Sequence, residues 1–332
     1  MTARLLGKSL SMRSSLKKTY FTIREFCLHA LGLLPVFSGN PEPKNQPEKI
    51  AVISQCRLGD AVFAVPLLQT LHARFPKADI CVVSPPYVGE VFEMLPEVQA
   101  VIEYRRGSPW SGFVELLNTS RELRKCRFDL IIDLNTDGVL ASSMLTFLSK
   151  PAFSIGYGQY GRGIFYKQSL EFPQWETPMV DLMINTLAPL SIAEPVRSIR
   201  LPVGREDIQE IYERLPWLRS PGHQTVVGLH PGAHHPTQRW PVAYYADLAD
   251  RLIGTGRVQV ILCGGRGDQS LIQEMRQQMT GIPHVVPDTL SLKALAALFS
   301  TLDLLICNNS GPLHLAGAVG TRTISFMGPT RA

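Results

Sequence analysis

Short apolar runs alternate with amphipathic stretches along most of the chain, from about residue 49 onward. Apolar runs of four or five residues predict buried strands, whereas apolar positions spaced three and four apart predict helices. In the first half, strands are predicted at 50–54, 80–84, 100–104, 130–134 and 153–155. Helices are predicted between them at 61–75, 88–95, 112–125 and 138–148. This alternation is typical of a parallel sheet covered by helices, a Rossmann-like unit.

A second alternation of the same kind follows a region in which prolines punctuate the chain. Its predicted strands are 226–229, 259–263, 302–307 and 323–326, and its predicted helices are 242–253, 269–279, 292–299 and 311–319. Between the two alternations, only 180–190 has the pattern of a connecting helix. We therefore predict an α/β protein with Rossmann-like domains at 49–190 and 226–332, an interdomain region at 191–225 and a central cleft between the domains.

The first 48 residues differ from the rest of the chain. Their apolar stretch, 26–37, is shorter than the roughly 20 residues of a membrane-spanning helix. Its late start and its His29 also depart from the pattern of a signal peptide. We interpret 1–48 as a basic amphipathic segment for a membrane surface followed by a linker, with an unstructured tail as an equal alternative. The basic residues are Arg4, Lys8, Arg13, Lys17, Lys18 and Arg24.

Composition narrows the classes of function. A chain of 332 residues at 45% apolar content can bury a sizeable core in about two domains. The formal charge of +5 is spread along the sequence, which favours an acidic small molecule or a membrane surface over nucleic acid. The six cysteines form no CxxC pair and have no histidine at zinc-finger spacing. They predict reduced, structural thiols in a cytoplasmic protein and no metal site.

The most informative candidate site is a polar turn near the end of the chain. Asn309, Ser310 and Gly311 follow a predicted strand and open a predicted helix that carries His314. Such a turn presents backbone N–H groups at the positive end of a helix dipole, which favours phosphate binding. The structural alternative is an ordinary helix cap at Asn309 or Ser310, with Pro312 in the first turn.

A second turn of this kind, Arg57 to Asp60, joins a strand to a helix in the first domain. A carboxylate at the mouth of a cleft can accept a proton from an attacking hydroxyl, so Asp60 is the candidate general base. The alternative is that Asp60 caps the predicted helix 61–75, and one residue can do both.

Two further strand-to-helix corners lie in the second domain. Gln238 and Arg239 follow the segment 230–233, and a guanidinium there could pair with a phosphate through two hydrogen bonds. The glycine-rich segment 264–268 could approach a nucleotide closely and place Asp268 near a ribose. A solvated helix start at Arg239 and a tight turn at 264–268 are the structural alternatives.

Two familiar motifs are set aside. Residues 156–161 match GxGxxG, but neither a clear helix nor an acidic residue at ribose spacing follows. Residues 133–138 open like a calcium-binding loop, but the twelfth position is Met144, where a bidentate glutamate is needed.

In their order and spacing the remaining motifs resemble glycosyltransferase family 9, which includes the ADP-heptose:lipopolysaccharide heptosyltransferases. The resemblance runs from about residue 50 to the C-terminus and rests on several short segments. They are 58–60, 66–68, 75–76, 230–233, 239–241, 264–265, 308–314 and 328–330.

The resemblance implies a GT-B fold, with 49–190 on the acceptor side and 226–332 binding a nucleotide sugar. It implies inverting transfer of a heptose-like sugar, with ADP the expected nucleotide, to a lipopolysaccharide core or related glycan without a cofactor or metal. Asp60 would be the catalytic base, with Arg57 and Gly59 on the acceptor side. It implies that the turn at Ser310, Gly311 and His314 is part of the donor diphosphate and sugar site. Together with the candidates from the residues themselves, the predicted donor-binding set is Gln238, Arg239, Asp268, Asn309, Ser310, Gly311 and His314. Such an enzyme would be cytoplasmic and peripheral on the inner face of the membrane.

Two residues depart from the pattern of similar family members. Aspartate is usual at the position of Asn309, and lysine is frequent at the position of Gln238, so two charged donor contacts are replaced by neutral ones. The donor can therefore differ from ADP-heptose. The family also continues beyond 328–330, which suggests a truncated copy or a fragment. A sugar-nucleotide epimerase of the same fold and a noncatalytic nucleotide-sugar-binding paralogue remain alternatives, whereas a nicotinamide dehydrogenase is the least favoured.

Overall fold

The computed structural model of the protein describes residues 20–22, 24–25, 27–28, 42–173, 176–219 and 225–328. Two parallel sheets are present, and contacts divide the chain into two compact units. The first unit lies within 1–56, 67–86 and 97–196, and the second within 57–66, 87–96 and 197–332. The predicted α/β class with two Rossmann-like units is confirmed.

The first unit contains a six-stranded parallel sheet in the order β3-β2-β1-β4-β5-β6. Its strands are β1 Lys49–Ile53, β2 Asp79–Ser84, β3 Ala100–Glu103, β4 Leu130–Asp133, β5 Phe153–Tyr157 and β6 Gln168–Leu170. In the register, Ile50 of β1 lies between Ile80 and Leu130 of the neighbouring strands. All three side chains are buried, as expected for a central parallel sheet covered on both faces.

Between residues 42 and 196, the described part of the chain forms six α-helices. They are α1 Leu58–Phe63, α2 Val65–Arg74, α3 Gly89–Glu93, α4 Pro109–Cys126, α5 Leu140–Ser149 and α6 Met179–Asn185. Contacts place α1 and α3 with the second unit, although their neighbours in sequence belong to the first.

The helix predicted at 61–75 is two helices. α1 ends before Ala64, and Pro66 lies in the first turn of α2. Proline has no N–H to continue the helical hydrogen bonding, so it ends one helix and begins the next. α1 also begins at Leu58, three residues before the predicted start.

The second unit contains a five-stranded parallel sheet in the order β11-β10-β7-β8-β9. Its strands are β7 Thr225–His230, β8 Val258–Leu262, β9 His284–Val285, β10 Leu304–Asn308 and β11 Thr323–Phe326. Its further helices are α7 Arg205–Arg214, α8 Val242–Gly254, α9 Gln269–Gln278, α10 Leu292–Ser300 and α11 Gly311–Ala318. Tyr245 and Ala249 of α8 pack with Leu229 and Leu262 in the core of this unit.

Three of the strands and α-helices given above were not predicted from the sequence. β6 and β9 have only three and two residues, too few for a periodic pattern. α7 is strongly polar and buries one residue, Ile211, so its apolar stripe is too weak to recognise among the neighbouring prolines.

The described part of the N-terminal segment is helical and packs on loops of the first unit. The Arg24 guanidinium donates hydrogen bonds to the carbonyl oxygens of Gly138, at 2.8 Å, and Tyr160, at 2.9 Å and 3.2 Å. The Phe21 ring stacks on Tyr160 with 4.3 Å between ring centroids. Arg24 therefore holds two loops together, whereas the sequence had placed it among the membrane-facing basic residues.

Several predictions fall outside the described residues. They concern the other five basic residues at 4, 8, 13, 17 and 18, most of the apolar stretch 26–37 and the segment 329–332. In the part of the chain that the structure describes, no helix is long and apolar enough to cross a membrane.

Candidate functional site

A cavity of about 860 Å³ lies in the second unit, at the carboxyl ends of its strands. This volume is within the usual range for small-molecule sites. β7 continues to β8 on one side of the sheet, whereas β10 continues to β11 on the other, so the strand order reverses between β7 and β10. Ligands of open α/β sheets bind at such a reversal.

The cavity brings together every site residue predicted from the sequence. They are Arg57, Gly59, Asp60, Gln238, Arg239, Asp268, Asn309, Ser310, Gly311 and His314. By contacts, all of them belong to the second unit.

The turn after β10 leaves the start of α11 without a side-chain cap. Ser310 occupies the N-cap position, but its hydroxyl donates to the Asn308 carbonyl oxygen at 3.2 Å and makes no capping hydrogen bond. The Asn309 N–H donates to the Phe326 carbonyl oxygen at 3.1 Å, which fixes the turn to β11. A helix start of this kind carries positive potential that can interact with an anion in the cavity.

Asn308 is the last residue of β10 and was not singled out as a separate site residue by the sequence. Its side chain is fully buried and makes three hydrogen bonds to backbone groups. Oδ1 accepts from the Trp240 N–H at 2.9 Å, and Nδ2 donates to the carbonyl oxygens of Pro231, at 2.8 Å, and Gly232, at 3.2 Å. Asn308 therefore fixes the loop after β7 and the start of α8 beside the cavity.

Asp60 lies in the first turn of α1, where its Oδ2 accepts the Arg57 N–H at 3.4 Å. The alternative role of Asp60 as the N-cap of a helix beginning at residue 61 is not observed, because the helix begins at Leu58 and Arg57 is its N-cap; Asp60, at the third helical position, accepts the N–H of that residue. The Asp60 side chain is half-buried and lines the cavity.

Reciprocal close contacts join α1 to α11. A Cβ at Gly59 would lie 2.8 Å from Cδ2 of His314, and a Cβ at Gly311 would lie 2.8 Å from Cβ of Leu58. The His314 ring also contacts Phe63, with 4.5 Å between ring centroids. Two glycines therefore allow the helix of Asp60 to approach the helix that begins at the polar turn.

His314 lies within this helix contact. Burial lowers the pKa of its imidazole below the ordinary value of 6.5. The neutral ring is therefore favoured, and it can donate or accept one hydrogen bond in the cavity.

Asp268 links the turns that follow β7 and β8. Its Oδ2 accepts the Gly265 N–H at 3.1 Å and lies 3.6 Å from Nε2 of His230. Burial acts to raise the pKa of Asp268, but the hydrogen bond and charge of His230, together with the Gly265 N–H, hold it below its ordinary value. A Cβ at Gly232 would clash with Asp268 Oδ1, so a side chain there would displace this carboxylate.

Arg239 is held by the backbone. Nε and Nη2 both donate to the Ala233 carbonyl oxygen, at 3.1 Å and 2.9 Å. This contact orients the guanidinium along the cavity wall. Gln238 precedes it at the end of a short 3-10 turn.

Several lining residues were missed by the sequence interpretation. They are Leu58, Phe63, Tyr87, His230, Ala233, His234, Gly264, Gly265, Gly267, Val286, Pro287, Asp288, Leu290, Leu292, Leu295 and Pro312, although close approach of the segment 264–268 to a nucleotide had been predicted. The residues from 286 to 291 join a two-residue strand to α10, whose first turns carry Leu292 and Leu295, and no glycine-rich motif marks this segment. The charge of Arg57 lowers the pKa of His234, which places these two side chains near each other.

The motifs set aside have structural roles. A 3-10 helix, Gln159–Phe165, begins inside the GxGxxG match, where a dinucleotide-binding motif would open an α-helix. Asp133 is buried, and its carboxylate accepts from the Tyr166 hydroxyl at 2.6 Å and from Asn135. Burial raises the pKa of Cys263 and Cys307 to about 12, so both are inert thiols. Among the described residues, no group of three or more His, Cys, Asp or Glu side chains could hold a metal ion.

The chain is similar to known heptosyltransferases. It is 25% identical over 298 residues to lipooligosaccharide heptosyltransferase 2 of Haemophilus influenzae, which covers 85% of this chain and 83% of the relative.

Two solved structures have a similar fold. The glycosyl transferase family 9 structure from Veillonella parvula superposes with a TM-score of 0.78 at 23% identity, covering 88% of this chain and 84% of that one. Escherichia coli ADP-heptose lipopolysaccharide heptosyltransferase II superposes with a TM-score of 0.73 at 23% identity, covering 85% of this chain and 86% of that one. These similarities confirm the predicted fold. The profile of glycosyltransferase family 9 (heptosyltransferase) matches residues 116–332, more than half of the chain. The protein therefore belongs to this family, as its motifs predicted, and is a glycosyltransferase.

Proposed function

We propose that the enzyme transfers a heptose-like sugar from an ADP-linked donor to a lipopolysaccharide core or a related glycan. The observation that carries the proposal is one cavity lined both by a carboxylate, Asp60, and by the uncapped turn at Ser310 and Gly311. The names of the similar heptosyltransferases support the choice of sugar and acceptor.

The donor occupies the part of the cavity next to α11 in this proposal. Its diphosphate lies at the helix start near Ser310 and Gly311, with Arg239 beside it. The apolar side chains Val286 and Leu295 form a wall that suits a nucleobase. Neutral hydrogen-bonding groups for the sugar and phosphates come from Asn309, Gln238 and His314. Asp268 lies near the ribose of the donor.

The reaction begins when Asp60 accepts the proton of an acceptor hydroxyl. The hydroxyl oxygen then forms a bond to the anomeric carbon from the face opposite the diphosphate. The bond between that carbon and the diphosphate oxygen breaks, so the configuration inverts and ADP leaves with the bonding electrons. The helix start and Arg239 stabilise the charge that develops on the leaving diphosphate. Arg57 and Gly59 lie on the acceptor side of Asp60.

Asp60→Asn tests the role of the base. The amide is close in size but cannot take up the proton, so turnover should fall about 10²–10⁴-fold. The affinity for ADP, measured by calorimetry, should stay near the wild-type value. Asp247→Asn is the matched control, because Asp247 is exposed and pairs with Arg251 on the surface of α8. Wild-type turnover in Asp60→Asn would exclude Asp60 as the base.

The nucleotide is tested by thermal shift with ADP-, GDP- and UDP-sugars. A ligand at 100 times its dissociation constant stabilises the folded protein by about 2.7 kcal/mol. We expect the largest shift with the ADP-sugar. A larger shift with a GDP- or UDP-sugar would assign a different donor while leaving the reaction class intact.

We also propose that the N-terminal segment holds the enzyme at the inner face of the membrane, where a lipid-linked acceptor lies. Deleting residues 1–19 removes five basic residues and leaves the contacts of Arg24 and Phe21 in place. This variant should move from the membrane fraction to the soluble fraction at low salt. Unchanged membrane association would remove the N-terminal segment from this role.

A further inference from the structure

Helix α4 of the first unit exposes a face of large apolar side chains. Trp110 is 77% exposed, Phe113 47% and Val114 42%. The opposite face of the same helix buries Leu116 and Leu123 in the core. Within the part of the chain that the structure describes, one apolar face of α4 packs in the core and a second one is exposed.

The exposed apolar residues follow helical spacing. Positions 110, 113, 114 and 117 lie on one face of a helix with 3.6 residues per turn, and the side chain of Leu117 is half-buried. We call these four residues the apolar stripe. The opposite face of α4 already packs in the core, so the core does not require a second row of apolar side chains on this helix.

The same face becomes basic in the last turns of α4. Arg121, Arg124 and Lys125 continue the line of the apolar stripe, and all three side chains are exposed. We call them the basic turn. The acidic residues of the helix, Glu115 and Glu122, project to one side of this line by the same helical spacing.

Two ion-paired arginines lie at the other end of the stripe. Arg105 and Arg106 come just before α4, where Arg105 pairs with Glu103 at 3.0 Å and Arg106 with Asp137 at 3.2 Å. From residue 103 to 127 the chain carries six basic and three acidic residues. Because both of these arginines are paired with acids, the net positive charge beside the apolar stripe is carried by the basic turn.

We propose that this face of α4 docks on an anionic lipid bilayer. Tryptophan and other large apolar side chains are favoured at the level of lipid headgroups, and arginine and lysine beside them are attracted by anionic lipids. A second protein is the less favoured occupant, because stable protein interfaces use roughly 20–30 residues on each side and the stripe offers four. The docking surface is separate from the N-terminal segment and does not depend on which sugar is transferred.

The first experiment measures binding of the full chain to vesicles of phosphatidylglycerol and of phosphatidylcholine by flotation. Trp110→Ser with Phe113→Ser should weaken binding to phosphatidylglycerol about tenfold or more. Arg121→Glu with Arg124→Glu and Lys125→Glu should do the same, while binding to phosphatidylcholine stays weak. Ile282→Ser is the matched control, since Ile282 is 91% exposed in the second unit.

A second experiment tests whether Trp110 itself enters the bilayer. Lipids with brominated acyl chains should quench part of the tryptophan fluorescence, and Trp110→Phe should abolish that quenching while vesicle binding persists. The chain has three other tryptophans, so the Trp110→Phe variant still fluoresces and its residual quenching can be measured.

Three outcomes would overturn the proposal. Binding by the serine double variant that equals binding by Ile282→Ser would show that the apolar stripe is not used. Vesicle binding with no quenching of Trp110 would assign attachment to another segment, such as the N-terminus. A concentration-dependent dimer in sedimentation velocity that the serine variant abolishes would assign the stripe to self-association.

Discussion

At the scale of single residues, the loops around the cavity are fixed by side chains that bind backbone groups. Asn308 contacts the loop after β7 and the start of α8, and Asp268 contacts the turn after β8. Because both side chains form hydrogen bonds with backbone groups of these loops, they hold the residues that line the cavity in place before a ligand binds.

Replacing Asn308 should therefore destabilise the protein. Asn308→Ala leaves a buried N–H and two buried carbonyl oxygens without their partner, which costs about 2–3 kcal/mol. Asn118→Ala is the control, because Asn118 is exposed and only accepts a 3.3 Å hydrogen bond from Arg121. It should change stability by less than about 0.5 kcal/mol. Urea unfolding followed by tryptophan fluorescence measures both variants, and equal midpoints would disprove a clamping role for Asn308.

His314 should make stability depend on pH. Burial lowers its pKa in the folded state, so the unfolded chain binds the proton more readily near pH 6.5. The stability contributed by the neutral ring is complete above that value and is lost as the pH falls through the folded-state pKa. His314→Gln should thus lose less thermal stability than the wild type between about pH 7.5 and 5.5. His72→Gln, at an exposed position, should retain the wild-type pH dependence. If His314→Gln retains it too, protonation of His314 does not affect folding.

At the scale of elements, the contact between α1 and α11 determines where Asp60 lies. Leu58 fits against Gly311, and His314 fits against Gly59, so neither glycine has room for a methyl group without displacement. The short α1 buries few residues of its own, and this contact supplies its packing partner.

Two alanine substitutions in α11 should have opposite effects. Gly311→Ala would place a methyl group 2.8 Å from Leu58 Cβ, which should destabilise the protein by about 1–3 kcal/mol and reduce turnover by shifting α1. Gly317 is exposed in the same helix with nothing within 4 Å of an added Cβ, so Gly317→Ala should stabilise by about 0.5–1 kcal/mol. Melting temperatures of both variants test this. A Gly311→Ala protein as stable and active as Gly317→Ala would show that the helix contact is loose.

At the scale of the whole molecule, the sequence predicts those strands, helices and turns that depend on the pattern of neighbouring residues. β1, β4 and β10 are recognisable because each is a nearly continuous apolar run between turns, and the turn at Ser310 is recognisable because a glycine and a proline follow a strand. The start of α1 cannot be recognised in the sequence, because α1 packs against α11, a helix some 250 residues away along the chain. The apolar cavity wall near Val286 cannot be recognised either, because its residues are ordinary apolar side chains that line the cavity only once the loop is folded.

Binding of ADP should reveal that distant segments form one site. Every residue that lines the cavity belongs to the second unit, including α1, which lies in sequence between β1 and α2 of the first unit. The N–H of Lys293 in α10 donates to Glu90 Oε2 in α3 at 3.1 Å, so α3 is also tied to this unit. At 100 times the dissociation constant, ADP should slow amide exchange that proceeds through unfolding of the unit by about 100-fold. Hydrogen exchange followed by mass spectrometry should therefore show slowing in α1 and α3 together with α11, with β5, which does not line the cavity, as the reference. Slowing in α11 without any in α1 would separate Asp60 from the nucleotide site, and the proposed attack on a donor held at Ser310 would then lose its base.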